Sequence, residues 1–346
     1  MKSVLKDFAK RSLYYAGYYG VRRRIFGPRG HRLLILMYHD LSPDPRAGNS
    51  GSHRNPDRSD FNAHLRAITR HYRLVSLRRA IDEIRTEGKL RTDSVAITFD
   101  DGHPAVYSIA YPLLRRYNVP ATVFLLTGWI NREIVYWWQN LRHWFDQAAP
   151  EGLSVEPLNA ALGFEVSLGE DPPSNITRST LCDIVEHRLV DMPDADRLPV
   201  LERLRQLLLP SDGRPVEPTR ALTWDQILLM ADHKIEFEAH TRTHINMKYT
   251  DATTAEREIV DSRDEIQNRL QREVTGFCYP YGKDIDAYRD FEPVLQRLGF
   301  SYAVNAVSGS NSERTNLYSL FRGTLPHSRS RSILGRYLAL LFSTEK

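Results

Sequence analysis

Cysteine is nearly absent from this 346-residue chain: Cys182 and Cys278 stand far apart and show no Cys-x-x-Cys spacing. They offer no disulfide framework and no cysteine metal site, and they fit a reducing compartment. Long apolar runs are missing as well. No stretch of 18 apolar residues occurs, so no membrane-spanning helix is expected. The first 26 residues start basic but lack an unbroken apolar core, because Asp7, Lys10 and Arg11 interrupt it; no secretory signal is expected. Neither sign of charge dominates. Lys and Arg total 47 against 43 Asp and Glu, a net charge of +4, and the excess sits mostly at the two ends. No nucleic-acid partner is expected.

What is present is an ordinary soluble composition, 41% apolar, in a chain long enough for one large α/β barrel or two ordinary domains. Residues 1–30 read as a basic amphipathic helix closed by the Gly27-Pro28-Arg29-Gly30 break. Val4, Leu5, Phe8, Leu13, Tyr14, Tyr18, Val21 and Ile25 recur at roughly helical spacing among Lys2, Lys6, Lys10, Arg11, Arg22, Arg23 and Arg24. Tyrosine suits the membrane–water interface and basic residues suit anionic headgroups, so the segment predicts either a peripheral membrane contact or a helix packed on the protein's own body.

The stretch that organises the rest is Ala96-Ile97-Thr98-Phe99-Asp100-Asp101-Gly102. An apolar run from Val95 to Phe99 ends in two adjacent carboxylates and a glycine, which fits a buried strand and its turn. Neighbouring carboxylates repel, and a cation beside them relieves the repulsion. A second strand-like run, Ile235 to Ala239, ends in His240-Thr241-Arg242-Thr243-His244. One Asp and two His just past strand ends make a three-ligand metal site with open positions. A third run, Leu33 to Tyr38, ends in His39-Asp40, which makes His39 a further site candidate.

Strand and helix alternate between these points. Ser76 is placed to cap a helix carrying Ala80, Ile81 and Ile84; residues 104–117 read as a helix, and Ala121 to Leu126 as another buried strand. From about 131 to 220 the alternation stops. Tyr136, Trp137, Trp138, Trp144 and Phe145 crowd together and the remainder reads as mostly helical, so this segment is expected to be an insertion. The pattern resumes at Thr223, an N-cap with Gln226 completing a capping box, followed by a long charged helix capped by Thr253 or Thr254. Tyr302-Ala303-Val304 is the last clear strand, with a weak one before Leu325. Ile333 to Phe342 reads as an apolar helix able to join the first one at a membrane surface.

Thr98-Phe99-Asp100-Asp101-Gly102, His240-Thr241-x-x-His244 and Tyr279-Pro280-Tyr281-Gly282 together resemble the polysaccharide deacetylases, carbohydrate esterase family 4, with the NodB-homology domain. Leu36-Met37-Tyr38-His39 and Pro120-Ala121-Thr122-Val123-Phe124 add to the likeness, which covers about residues 33–130 and 222–325. The resemblance implies a distorted (β/α)7-type barrel over 31–346, with the helical insertion at about 131–220. It implies that Asp101, His240 and His244 bind a divalent metal ion, commonly Zn2+, that Asp100 is the general base, and that the backbone N–H of Tyr281 helps hold the oxyanion. Two features depart from the family. Cys278 stands where many members have an arginine that orients the base, and an Asp-x-x-Asp-Trp motif near Tyr302 is missing. The sequence is more similar to the branch acting on exopolysaccharide or lipid-linked sugars, in which the acid histidine comes from an early strand. His39 is therefore the first candidate for the acid, and His327, in Leu325-Pro326-His327, the second. Tyr279, Pro280 and Trp138 are expected to contact the sugar.

The expectation is a metal-dependent enzyme removing N-acetyl groups from amino sugars of a bacterial polysaccharide or lipid-linked saccharide, in the cytoplasm at the inner membrane face. A deformylase of a lipid-linked formamido sugar, an O-acetyl esterase and a non-catalytic carbohydrate-binding protein on the same barrel are the alternatives.

Overall fold

The computed structural model describes residues 30–42, 55–134, 136–148, 153–166, 177–209 and 220–344. The basic segment 1–30 lies, but for its last residue, outside the described residues. Eight parallel strands form one sheet: β1 (Leu33–Tyr38), β2 (Arg73–Leu74), β3 (Ser94–Phe99), β4 (Ala121–Leu125), β5 (Ile235–Ala239), β6 (Gly276–Cys278), β7 (Tyr302–Ser308) and β8 (Leu320–Gly323). The order is β1-β8-β7-β6-β5-β4-β3, and β1 also pairs with β3, so seven strands close into a barrel, with the two-residue β2 paired to the start of β3. This is the (β/α)7-type architecture expected from the motifs.

The apolar runs explain why these segments are strands. A parallel stave covered by helices is buried on both faces, so its sequence is continuously apolar rather than alternating. Leu33, Ile35, Ala96, Phe124, Tyr302, Val304 and Leu320 share the interior core with Cys278. Their neighbours Leu34, Leu36, Val95, Ile97, Val123 and Leu125 face the helices. Each fully buried Leu, Ile or Phe contributes about 1.5–3 kcal/mol.

The covering helices start where the capping chemistry directs. Asp57 caps α1 (Arg58–Thr69) in a capping box with Asp60, and Ser76 caps α2 (Leu77–Glu87). Residues 104–117 are not one regular helix. A π-helical turn, Val106–Ala110, leads into α3 (Tyr111–Tyr117), directly after the Asp100-Asp101 turn. Wide turns of this kind collect beside functional sites. After β4 a short α4 (Thr127–Ile130) opens the insertion, in which α5 (Trp137–Gln147), α6 (Val155–Leu162), α7 (Arg178–Val190) and α8 (Asp194–Leu208) build an apolar core of their own around Leu141, Leu158, Val185 and Leu204.

Thr223 and Gln226 form the expected capping box on α9 (Trp224–Ala231). The cap of α10 (Ala252–Leu270) is Asp251, not Thr253 or Thr254: its carboxylate sits one position ahead of the helix and accepts from the Thr254 N–H. Beyond β6, α11 (Ile285–Tyr288) and α12 (Glu292–Arg297) cover the barrel before β7. The last helix, α13 (Arg331–Ser343), packs one face on the protein and leaves Tyr337 and Leu340 exposed on the other. Leu334, Leu338 and Phe342 are buried, and Phe342 stacks on Tyr72 with ring centroids 4.7 Å apart. Among the described residues no helix is long and apolar enough to cross a membrane.

Candidate active site

Strand register brings the site together. β1 and β3 run in step from Leu33↔Ser94 to Tyr38↔Phe99, so His39 and Asp100 leave the barrel side by side. β4 and β5 pair up to Leu125↔Ala239, which delivers His240 to the same rim. Asp101 then turns at φ +72°, a left-handed conformation that non-glycine residues seldom take, and Gly102 follows at +86°. Such strain persists where surrounding contacts fix it, and here it aims two successive carboxylates in different directions.

The histidine loop carries the same mark. Thr241 and His244 stand at φ +62° and +59°. Glu258 of α10 accepts from the backbone N–H groups of Arg242 and Thr243, at 2.9 and 2.7 Å, and from the Thr243 hydroxyl. On the other side the Gly128 N–H donates to the Arg242 carbonyl at 2.8 Å. The ring of His240 is fixed by a 2.8 Å hydrogen bond between Nδ1 and the Cys278 carbonyl. A carbonyl only accepts, so Nδ1 carries the proton and Nε2 presents its lone pair.

Asp101, His240 and His244 converge. Asp101 Oδ1 lies 3.3 Å from His240 Nε2 and 3.6 Å from His244 Nε2. It is buried and has no hydrogen-bond partner among the described residues. Burial pushes His244 down to about 3, which keeps it neutral and able to ligate. Burial opposes ionisation of Asp101, but His103, His240 and His244 outweigh it and hold the carboxyl well below its usual range. A buried carboxylate oxygen facing two imidazole nitrogens, with nothing donating to it, is a donor set for a divalent cation. A second convergent group, Asp100, His240 and Cys278, already has a cation: the Arg322 guanidinium touches both Asp100 and Cys278.

Arg322 is the residue that sequence reasoning missed. It lies on β8 inside the barrel, 2% exposed, and grips Asp100 with two hydrogen bonds, Nη1 to Oδ1 at 2.7 Å and Nη2 to Oδ2 at 2.8 Å. Its Nε donates to the Asn305 carbonyl, and Nη2 lies 3.2 Å from Cys278 Sγ. The arginine absent from position 278 is thus supplied by another strand, and the small thiol leaves room for it. Burial alone would raise the Asp100 carboxyl; Arg322, then His39, outweigh it and hold Asp100 below the ordinary carboxylate range. The signal in the sequence was an arginine in the middle of an otherwise apolar four-residue strand.

His39 Nε2 lies 3.6 Å from Asp100 Oδ2, and its side chain is 48% exposed, so it faces the base from the open side. His327 goes elsewhere: its Nδ1 stands 4.0 Å from Asp60 at the start of α1. Tyr281 sits at φ +62° in the turn after β6, with its ring against His244 at 4.8 Å. Trp138, at the first turn of α5, packs edge-on over His244 at 4.9 Å. Tyr279 does not reach the site. It is buried, stacks on Tyr288 at 4.7 Å and donates its hydroxyl to the Tyr318 carbonyl, so the expectation that it contacts sugar is corrected: side chains alternate along a strand and this one faces the helices. Pro280 is buried too, and its carbonyl accepts from the Gly282 N–H and the Tyr288 hydroxyl; it shapes the turn rather than offering a contact surface.

Comparison with known proteins follows the same lines. The sequence model of the family described as polysaccharide deacetylase matches residues 87–156 and 200–303. The YxkH protein of Bacillus subtilis (strain 168) is 20% identical over 308 residues, 89% of this chain and 76% of that protein. A poly-beta-1,6-N-acetyl-D-glucosamine N-deacetylase of Staphylococcus aureus (strain MSSA476) is 43% identical over 49 residues, which span 14% of this chain and 17% of that protein. Among solved structures, the Streptococcus pyogenes deacetylase PplD in complex with acetate superimposes with a TM-score of 0.58 at 18% identity, covering 92% of this chain and all of that one. The last likeness is one of fold.

Proposed function

The chain belongs to the polysaccharide deacetylase family, and from that premise we propose that it is a metal-dependent N-deacetylase acting on N-acetylated amino sugars of a bacterial polysaccharide. One observation carries the reading. Two adjacent carboxylates are given opposite surroundings: Asp101 turns an unpartnered oxygen to two histidine nitrogens, while Asp100 is clamped by Arg322. Environments that separate two like groups assign them different tasks.

Asp101, His240 and His244 would hold the metal, zinc by preference. A bound divalent ion supplies a Lewis acid that polarises the amide carbonyl and eases ionisation of water. Asp100, held ionised and oriented by the two Arg322 hydrogen bonds, takes the proton of the attacking water. The backbone N–H of Tyr281 meets the negative charge that develops on the carbonyl oxygen. His39, exposed beside Asp100, delivers a proton to the nitrogen as the carbon–nitrogen bond breaks, because an amine leaves poorly without one. The products are acetate and a free amino sugar. Trp138 offers an aromatic face beside His244 on which a sugar ring can stack. A lipid-linked glycan, met from the cytoplasmic side of the inner membrane by the basic segment 1–30, completes the proposal.

The test is acetate release from N-acetylglucosamine oligomers by the zinc-loaded protein, with Asp100→Asn beside it. Release by the wild type and a loss of about 10²–10⁴-fold in the variant support the reading. Formate released from a formamido sugar, with no acetate, would move the assignment to a deformylase. Turnover unchanged in Asp100→Asn would remove the base.

A further inference from the structure

We infer that His103 is a positioning residue of the metal centre, holding Asp101 with one carboxylate oxygen engaged and the other turned to His240 and His244. The inference rests on reading the site as a metal centre.

His103 follows the Asp100-Asp101-Gly102 turn and is almost fully buried. Its Nε2 lies 3.5 Å from Asp101 Oδ2, the oxygen that does not face the two histidines. Its Nδ1 lies 3.9 Å from Asp40 Oδ2, beyond hydrogen-bond range, and has no hydrogen-bond partner among the described residues. The ring is thus enclosed with a carboxylate at each nitrogen. Two aromatics set its plane: Trp129 meets it edge-on at 5.0 Å and Tyr136 at 5.9 Å, and those two rings stack on each other at 4.6 Å. Filling this space needs no polar ring. Burying an imidazole whose nitrogens find so few partners costs free energy that a phenylalanine would not, so the ring's contact with Asp101 is the feature that distinguishes it.

That contact has a definite consequence. A carboxylate on a strained turn can rotate and offer either oxygen, or both. His103 takes Oδ2, which leaves Oδ1 as the single oxygen presented beside His240 and His244. Partners behind a ligand orient it, and losing one typically weakens metal binding by about 10–100-fold. Arg322 does for the base what His103 does for the ligand, from a different element and by separate contacts.

The test is zinc affinity of the full chain, read by competition with a chromophoric chelator, for wild type, His103→Phe and His103→Gln. Phenylalanine fills the space between Trp129 and Tyr136 but cannot donate; glutamine restores a donor near the Nε2 position. The expected result is one zinc per chain in all three, a Kd about 10–100-fold weaker in His103→Phe, recovery in His103→Gln to within a few-fold of wild type, and a metal-free thermal midpoint in His103→Phe no lower than that of wild type. Equal affinity in wild type and His103→Phe would overturn the inference and leave the metal centre standing. Equal loss in both variants would overturn it as well, since the donor would then be irrelevant. No zinc bound by the wild type would overturn the metal centre itself, and this inference with it.

Discussion

Asp100 and Asp101 are adjacent in the chain, yet they have different partners: Arg322 and His39 for the first, His103, His240 and His244 for the second. Replacing Arg322 with methionine leaves the Asp100 carboxylate buried without its cation. Breaking a buried pair from one side costs about 3–5 kcal/mol, to be read from urea denaturation. The sign of the pH effect follows from the same contact. Arg322 holds the Asp100 carboxyl low, so its removal raises that pKa and moves the acidic limb of the kcat/KM profile to higher pH. An unmoved limb would show that Asp100 is not the group being titrated. His39→Ala separates acid from base, because ester cleavage needs a protonated leaving group far less than amide cleavage does. The amide rate should fall by about 10²–10⁴-fold and the ester rate by much less, measured on N-acetyl and O-acetyl substrates of one sugar. Equal losses would remove His39 as the acid. Asp100, Asp101, His39 and His240 were legible because each ends an apolar run. Arg322 was not, because a charge in mid-strand lowers the apolar signal and its partner lies 222 residues away. Tyr279 misled because a motif names a position, while the pleat decides which way its side chain points.

Between the elements, the histidine loop is held as a unit by Glu258 and Gly128. A Cβ added at Gly128 would sit 2.5 Å from the Arg242 carbonyl oxygen, a backbone atom that cannot swing aside. Gly128→Ala should therefore displace the loop that carries His240 and His244. We expect a stability loss of about 1–3 kcal/mol together with weaker zinc binding. A variant that loses stability but binds zinc as tightly as wild type would show that the loop is placed by other contacts. Caps at Ser76 and Thr223 were readable because a short polar residue directly precedes an apolar-periodic helix. The cap was placed on Thr253 or Thr254 because short polar residues crowd the start of that helix, and only geometry singles out Asp251. The π-helical turn at Val106–Ala110 has no side-chain period distinct from a helix over so few residues.

Across the whole molecule, closure of the barrel ties the first strand to the last and both to α1. His64 on α1 joins Tyr38 on β1, 3.0 Å from Nδ1, to the Pro326 carbonyl after β8, 3.1 Å from Nε2. Burial pushes this ring down to about 4, so the folded protein keeps it neutral where the unfolded chain protonates it. The unfolded state then binds more protons between about pH 6.5 and 4, and stability falls as pH drops through that window, by up to about 3 kcal/mol from this residue. Urea unfolding at pH 6.5 and pH 4.5 should show a smaller decrease in His64→Gln than in the wild type; identical decreases would place the pH sensitivity elsewhere. The alternating runs made a parallel barrel legible, and the loss of alternation marked the helical stretch. The closing pairs of β1 with β3 and β8 were not legible, since long-range register leaves no local trace. The helical insertion was legible, and its aromatics Trp144 and Phe145 do join a core shared by α5 to α8.

The division of labour between Asp100 and Asp101 is tested most directly by one paired measurement: zinc content and acetate release for wild type, Asp100→Asn and Asp101→Asn prepared identically. The expected result is one zinc per chain and turnover in the wild type, zinc without turnover in Asp100→Asn, and neither in Asp101→Asn. Zinc lost from Asp100→Asn and retained by Asp101→Asn would contradict it.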